Sequence, residues 1–274
     1  MPMTRTGTTH PATAGATDPA GRTRRAHRGA VRVRAAALTS AAAVALLALA
    51  APAPAATAPA GSSAHHIPLP VLMADTGGGD QLITALAPTT GATTGTVRWW
   101  QRHNGRWRQA GWAPARFGSG GLTEGRTRVQ GTSTTPTGLY DLPFAFGTLP
   151  PPPGSAVPYR RVGGDSWWCE DNASASYNRW VAPLPADCAA GESERLADHP
   201  TQYARALVIG FNYHRPVHGR GAGIFLHVNG RGATAGCVSV PAGAMARILS
   251  WVRPAARPHI AVGTAYGPTA LTRY

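Results

Sequence analysis

The stretch Ile224-Phe225-Leu226-His227-Val228-Asn229-Gly230-Arg231-Gly232-Ala233-Thr234-Ala235-Gly236-Cys237-Val238-Ser239-Val240 sets two short apolar runs on either side of a glycine-rich loop. Runs of this length, rich in β-branched and aromatic residues, read as buried strands. The loop brings Cys237 ten positions after His227, and its glycines let the chain fold the cysteine back toward the histidine. Composition extends the β reading outward, because 33 glycines and 25 prolines in 274 residues leave few places for long helices. Strand patterns fall at 81–87, 96–102, 106–110, 139–142, 159–162, 206–211, 223–228, 238–240 and 259–262. Asn104-Gly105 between Trp-rich runs predicts a two-residue hairpin. One helix is predicted from about 241 to 253, where Ala244, Met245, Ile248, Leu249 and Val252 recur at three- and four-residue steps between Pro241 and Pro254.

At the other end, Arg22, Arg24, Arg25, Arg28, Arg32 and Arg34 precede an apolar run from Ala35 to Ala50. A run of about 16 residues is short for a spanning helix and suits the core of a signal peptide, with an uncleaved anchor as the alternative. The expected organisation is a signal peptide at 1–56, a flexible Ala/Pro/Ser/Gly linker at 57–79 and one catalytic domain at 80–274. Of the net charge of +14, setting aside the leader's seven arginines and Asp18 leaves +8. No basic helix or aromatic-and-basic ladder is visible, so the charge fits an anionic cell envelope and excludes a nucleic-acid module.

Three cysteines in an exported chain imply one pair and one free thiol. Cys169 and Cys188 are the expected disulfide, closing a loop of about 20 residues and stabilising the fold by roughly 3 kcal/mol. Metal binding is the rival reading, without a CxxC or HxxxH companion to support it. Cys237 is then free to act as a nucleophile, with His227 as the base that takes its proton and pairs with the thiolate. The alternative is a small buried thiol beside a satisfied core histidine. No local carboxylate is at hand to orient the imidazole, so a backbone carbonyl is expected to do so. The N–H groups of Gly236 and Cys237 are the expected oxyanion donors.

Phe225-Leu226-His227-Val228 followed by Thr234-Ala235-Gly236-Cys237-Val238 resembles the catalytic motif of the L,D-transpeptidase (YkuD/ErfK) family of bacterial cell-wall enzymes. Gly131-Thr132-Ser133-Thr134-Thr135-Pro136-Thr137-Gly138-Leu139-Tyr140 resembles the family's upstream strand, and Val208-Ile209-Gly210-Phe211-Asn212-Tyr213 resembles the strand before the histidine in actinobacterial-type members. The resemblance implies a β-sandwich or barrel with one short helix after the cysteine. It also implies attack of Cys237 on peptidoglycan stem peptides, a thioester intermediate, and crosslinking by a neighbouring amine. His227 would be the base, the Val228 carbonyl its orienting partner, and Gly236 and Cys237 the oxyanion donors. No metal or organic cofactor is implied, and carbapenem-type β-lactams become expected covalent inhibitors. Thr234, Asn212 and Tyr213 are candidate substrate contacts, as are Trp168 and Tyr177 beside the cysteine pair. Two positions depart from the common motif: Ala235 stands where a histidine is usual, and Ser239 where arginine or asparagine is usual. Hydrolysis in place of transfer, as in an L,D-carboxypeptidase, and a non-catalytic wall-binding module are the alternatives.

Overall fold

The computed structural model describes residues 67–274; the expected signal peptide and the first part of the linker lie outside them. The described chain is mostly β. Its strands are β1 (Gln81–Ala87), β2 (Thr94–His103), β3 (Arg106–Arg116), β4 (Leu122–Glu124), β5 (Thr135–Asp141), β6 (Ala145–Gly147) and β7 (Tyr159–Arg161), then β8 (Trp167–Cys169), β9 (Arg179–Val181), β10 (Glu194–Arg195) and β11 (Ala206–Val208). The chain ends with β12 (Phe225–Val228), β13 (Val238–Val240), the helix α1 (Ala242–Trp251) and β14 (His259–Thr264).

Eleven strands form one ladder in the order β4-β5-β14-β1-β2-β3-β13-β12-β11-β6-β7. Its two halves are joined at β3 and β13 by the single register pair Ser239 with Arg116. The halves enclose a core of Ile83, Val97, Trp99 and Phe117 from one side and Leu226, Val228, Val238 and Val240 from the other, giving a β-sandwich. Helix α1 adds Met245, Ile248 and Leu249 to that core. It stops at Trp251, before Pro254, whose ring and missing N–H cannot continue a helix.

Asn104 and Gly105 both adopt positive φ, 48° and 74°, as a primed hairpin turn requires, and His103 pairs with Arg106 across it. Strand β3 runs six residues beyond the pattern read from sequence, which stopped at Ala110. Gly111 ended the pattern because it carries no side chain, yet the position needs that absence: a Cβ there would sit 2.1 Å from the Trp99 ring. Pro114 is tolerated because β3 is paired over its length on one side only.

A second cluster covers the outer face of β11 and β12. Phe144, Phe146, Leu196, Tyr203, Ala206, Val208 and Phe225 pack there against Trp168 and Tyr177 of an insertion whose strands form a separate three-stranded sheet, β10-β8-β9. Strand β12 therefore alternates: Leu226 and Val228 face the sandwich core, and Phe225 faces the insertion. Residues 67–79, read from composition as the end of the linker, lie against the domain, with Leu69 and Met73 packed on Leu82, Trp100, Trp107 and Leu271.

Candidate active site

His227 shares the outer face of β12 with Phe225, and its ring meets the edge of Tyr203 at a centroid distance of 5.6 Å. The parallel pairing of β12 with β13 aligns His227 with Ser239. Cys237, two residues before Ser239, thus presents its side chain on the same face as His227 and joins the second cluster. Both line one cleft of about 820 Å³, walled by Gly230–Ala235, by residues 190–195 of the insertion, and by Arg128, Gln130 and Gly223.

The loop between β12 and β13 is held by its threonine. The Thr234 N–H donates to Phe117 O at 2.8 Å, and its carbonyl accepts from Ser119 N–H at 2.8 Å. Its Oγ1 donates to Cys237 O at 2.7 Å and accepts the Gly236 N–H at 3.1 Å. Thr135, in the upstream threonine-proline segment, supports the same carbonyl: its Oγ1 donates to Cys237 O at 3.3 Å and accepts Gly118 N–H at 2.8 Å. Arg116 binds the loop carbonyls of Gly230 and Gly232 through Nη1. Of the two expected oxyanion donors, Gly236 is thus engaged by Thr234, which leaves the Cys237 N–H.

His227 Nδ1 lies 2.8 Å from Val228 O. A carbonyl only accepts, so Nδ1 carries the proton and Nε2 is the basic nitrogen. Burial lowers the imidazole to about 4, against the opposing pull of the Val228 carbonyl. Cys237 is 7% exposed. Its Sγ accepts the Phe225 N–H and donates to Gly223 O, each at 3.3 Å. Burial raises the thiol far above its ordinary value, and the Glu194 carboxylate adds to that, while the Phe225 N–H and Arg128 act the other way. Among the described residues no hydrogen bond joins the two side chains. Burial of both groups favours the neutral thiol and the neutral imidazole over the ion pair expected from the sequence.

The other candidate residues divide. Thr234 lines the cleft, whereas Trp168, Tyr177, Asn212 and Tyr213 do not. Trp168 and Tyr177 are buried supports: Trp168 Nε1 donates to Asn178 Oδ1 at 2.8 Å, and Tyr177 OH donates to Gln130 Oε1 at 2.6 Å. Asn212, at φ 49°, closes its own turn by donating from Nδ2 to Val217 O and Gly221 O. Tyr213 stands over the Trp168 ring and accepts Arg179 at its carbonyl. The cleft instead uses residues that the sequence did not single out, among them Arg128, Glu170, Glu194 and Tyr203. Burial raises Glu170 to about 8 and raises Glu194, whose two oxygens accept from Tyr203 OH at 2.8 Å. Cys169 and Cys188 are bonded, with Cα atoms 6.2 Å apart, and so tie Glu170 to the segment that leads into β10.

A thiol and an imidazole on one sheet face, opening to one cleft of a β-sandwich, define a cysteine–histidine site. A family model described as the L,D-transpeptidase catalytic domain (YkuD) matches residues 92–264, more than half of the chain. The chain belongs to this family. No curated protein matches it. Among solved structures, that of Bdellovibrio bacteriovorus Bd1075 is similar at 16% identity with a TM-score of 0.34, covering 67% of this chain and 47% of that one. The chain thus spans about half the length of that protein.

Proposed function

We propose that the chain is a secreted cysteine acyltransferase that crosslinks peptidoglycan stem peptides. The observation that carries this reading is the shared cleft of Cys237 and His227, with Nδ1 of the imidazole held by Val228 O and Nε2 left basic. Binding of a stem peptide excludes water and brings its carbonyl to Sγ. The thiol proton passes to Nε2 as Sγ bonds the carbonyl carbon between an L- and a D-centre, and the Cys237 N–H faces the developing oxyanion. Collapse breaks the C–N bond, Nε2 returns the proton to the leaving amine, and a D-amino acid departs from a thioester. The amine of a second stem then attacks the thioester, gives its proton to Nε2, and regenerates the thiol. The neutral resting pair suits this sequence, because the base starts unprotonated and the proton moves only as the S–C bond forms. The Cys169–Cys188 bond and the arginine-led apolar leader support export to the cell envelope, whose anionic polymers suit the positive charge.

Intact-mass measurement with meropenem tests the reading. Ring opening by the thiol adds the whole inhibitor, so one adduct per chain is expected, absent in Cys237→Ala. In His227→Ala the adduct should form at least about a hundredfold more slowly, the scale of a lost general base. A parent chain that stays unmodified overturns the proposal. Stem tetrapeptides converted to tripeptides without crosslinked dimers would reassign the chain to hydrolysis.

A further inference from the structure

One buried cation on the cleft wall has no part in the steps above. Arg128, between β4 and β5, is 6% exposed and still reaches the cleft beside Gly223 and Cys237. Its guanidinium is fixed from behind: Nε donates to Thr134 O at 2.8 Å, Nη1 donates to Arg220 O at 3.1 Å, and Cζ stands 5.7 Å from the Phe211 ring centroid. Two loops bend around its head at glycines with positive φ. A Cβ on Gly221 would lie 1.6 Å from Nη1, and one on Gly236 would lie 2.9 Å from Nη2. Nη2 therefore borders the residue that precedes the nucleophile.

Among the described residues Nη2 meets no hydrogen-bond acceptor. No carboxylate there lies within ion-pair distance of Arg128. Glu170 shares the cleft and is raised to about 8 by burial, but it makes no ion pair with the guanidinium. A buried guanidinium without a counter-anion is costly unless something completes it. Nε and Nη1 each give a hydrogen to a carbonyl, and Nη2 keeps its N–H groups for a carboxylate oxygen.

We propose that Arg128 is the carboxylate receptor of the cleft: its Nη2 edge takes the free α-carboxylate of the terminal residue that leaves when Cys237 is acylated, so donors need an unblocked C-terminus. This rests on the acyl-transfer reading. In such a donor the carboxylate is attached to the carbon next to the scissile nitrogen, roughly 3–4 Å from the carbonyl carbon under attack. The guanidinium edge borders Gly236, the residue next to the nucleophile, and lines the same cleft as Cys237.

The test compares a stem tetrapeptide with its C-terminal carboxamide, reading release of the terminal residue. The wild-type chain should favour the acid by at least about thirtyfold in kcat/KM, the range of a charge-assisted hydrogen bond. In Arg128→Gln the preference should shrink to within about threefold, mainly through a raised KM for the acid, and Arg128→Lys should keep part of it. Equal losses on both donors in Arg128→Gln would show that the guanidinium serves the oxyanion, and would overturn the proposal. A wild-type chain without the preference overturns the proposal even where Arg128→Gln does not fold, and Arg128→Lys then tests the assignment to this residue. A wild-type chain that takes up meropenem yet treats both donors alike overturns the receptor alone. One that takes up no meropenem removes the acyl-transfer reading and the receptor with it.

Discussion

At Thr234 one hydroxyl fixes the geometry of the nucleophile from both sides, holding the N–H before Cys237 and the carbonyl after it. Thr234→Val keeps the shape and removes both bonds. It should cost about 1–3 kcal/mol in stability and slow meropenem acylation by about tenfold, whereas Thr234→Ser should restore both; melting curves and adduct kinetics check this. His227 gives a second residue-level outcome. Its folded value of about 4 is below the ordinary 6.5, so as pH falls the unfolded chain takes up the proton first. Stability tied to this residue is full above pH 6.5 and is lost by about 3 kcal/mol as pH falls through 4. Glu170 runs the other way, since its folded value of about 8 exceeds the ordinary 4.5 and its contribution fades as pH rises from 4.5 through 8. Denaturant melts at pH 4, 6 and 8 should show a flatter acid side in His227→Gln and a flatter alkaline side in Glu170→Gln. Unchanged slopes would contradict the burial of these groups.

Among the elements, those with local causes were legible in the sequence. The Asn104-Gly105 hairpin, β1, the pair β12 and β13, and α1 each carry their own turn residues or periodicity. Strands β4, β6, β8, β9 and β10 were not found. They span two or three residues each, too few for a period, and exist because distant partners supply their hydrogen bonds, as β9 and β10 do for β8. The site divides in the same way: Cys237 and His227 were visible because one loop joins them, while Arg128, Glu170 and Tyr203 arrive from separate segments. Arg128 stands just upstream of the threonine-proline strand, and that proximity was the one signal pointing to it. The disulfide is the element-scale control of the cleft, because it holds the insertion that carries Glu170 and Glu194. Replacing Cys169 and Cys188 with serine should lower stability by roughly 3 kcal/mol, and added reductant should change the melt of the parent but not of the double variant.

Across the whole molecule, β1 needs cover on both faces, since six of its seven residues are buried and side chains alternate along a strand. Ile83, Ala85 and Ala87 look into the sandwich core, while Leu82 looks the other way, into the cluster closed by Leu271, Leu69 and Met73. Composition marked 57–79 as linker because alanine, proline, serine and glycine dominate that longer stretch, yet its last part carries Ile67, Leu69, Val71, Leu72 and Met73, of which Leu69 and Met73 supply the cover the outer face lacks. Backbone bonds fasten it: the Ala74 N–H donates to Thr272 O at 3.2 Å, and the Asp75 N–H to Tyr274 O at 2.9 Å. Tyr274 in turn bonds Thr137 through its hydroxyl at 2.7 Å and donates to Glu124 at 3.0 Å, linking the same patch to β5 and β4. A chain begun at residue 80 should therefore be less stable than one begun at residue 62 by about 2 kcal/mol, the scale of two partly buried apolar side chains. The cleft takes no residue from this arm, so meropenem acylation at low temperature should proceed at the same rate in both chains. Equal melting temperatures would show that the outer face of β1 closes without the arm, and a slower adduct in the shorter chain would tie the arm to the site.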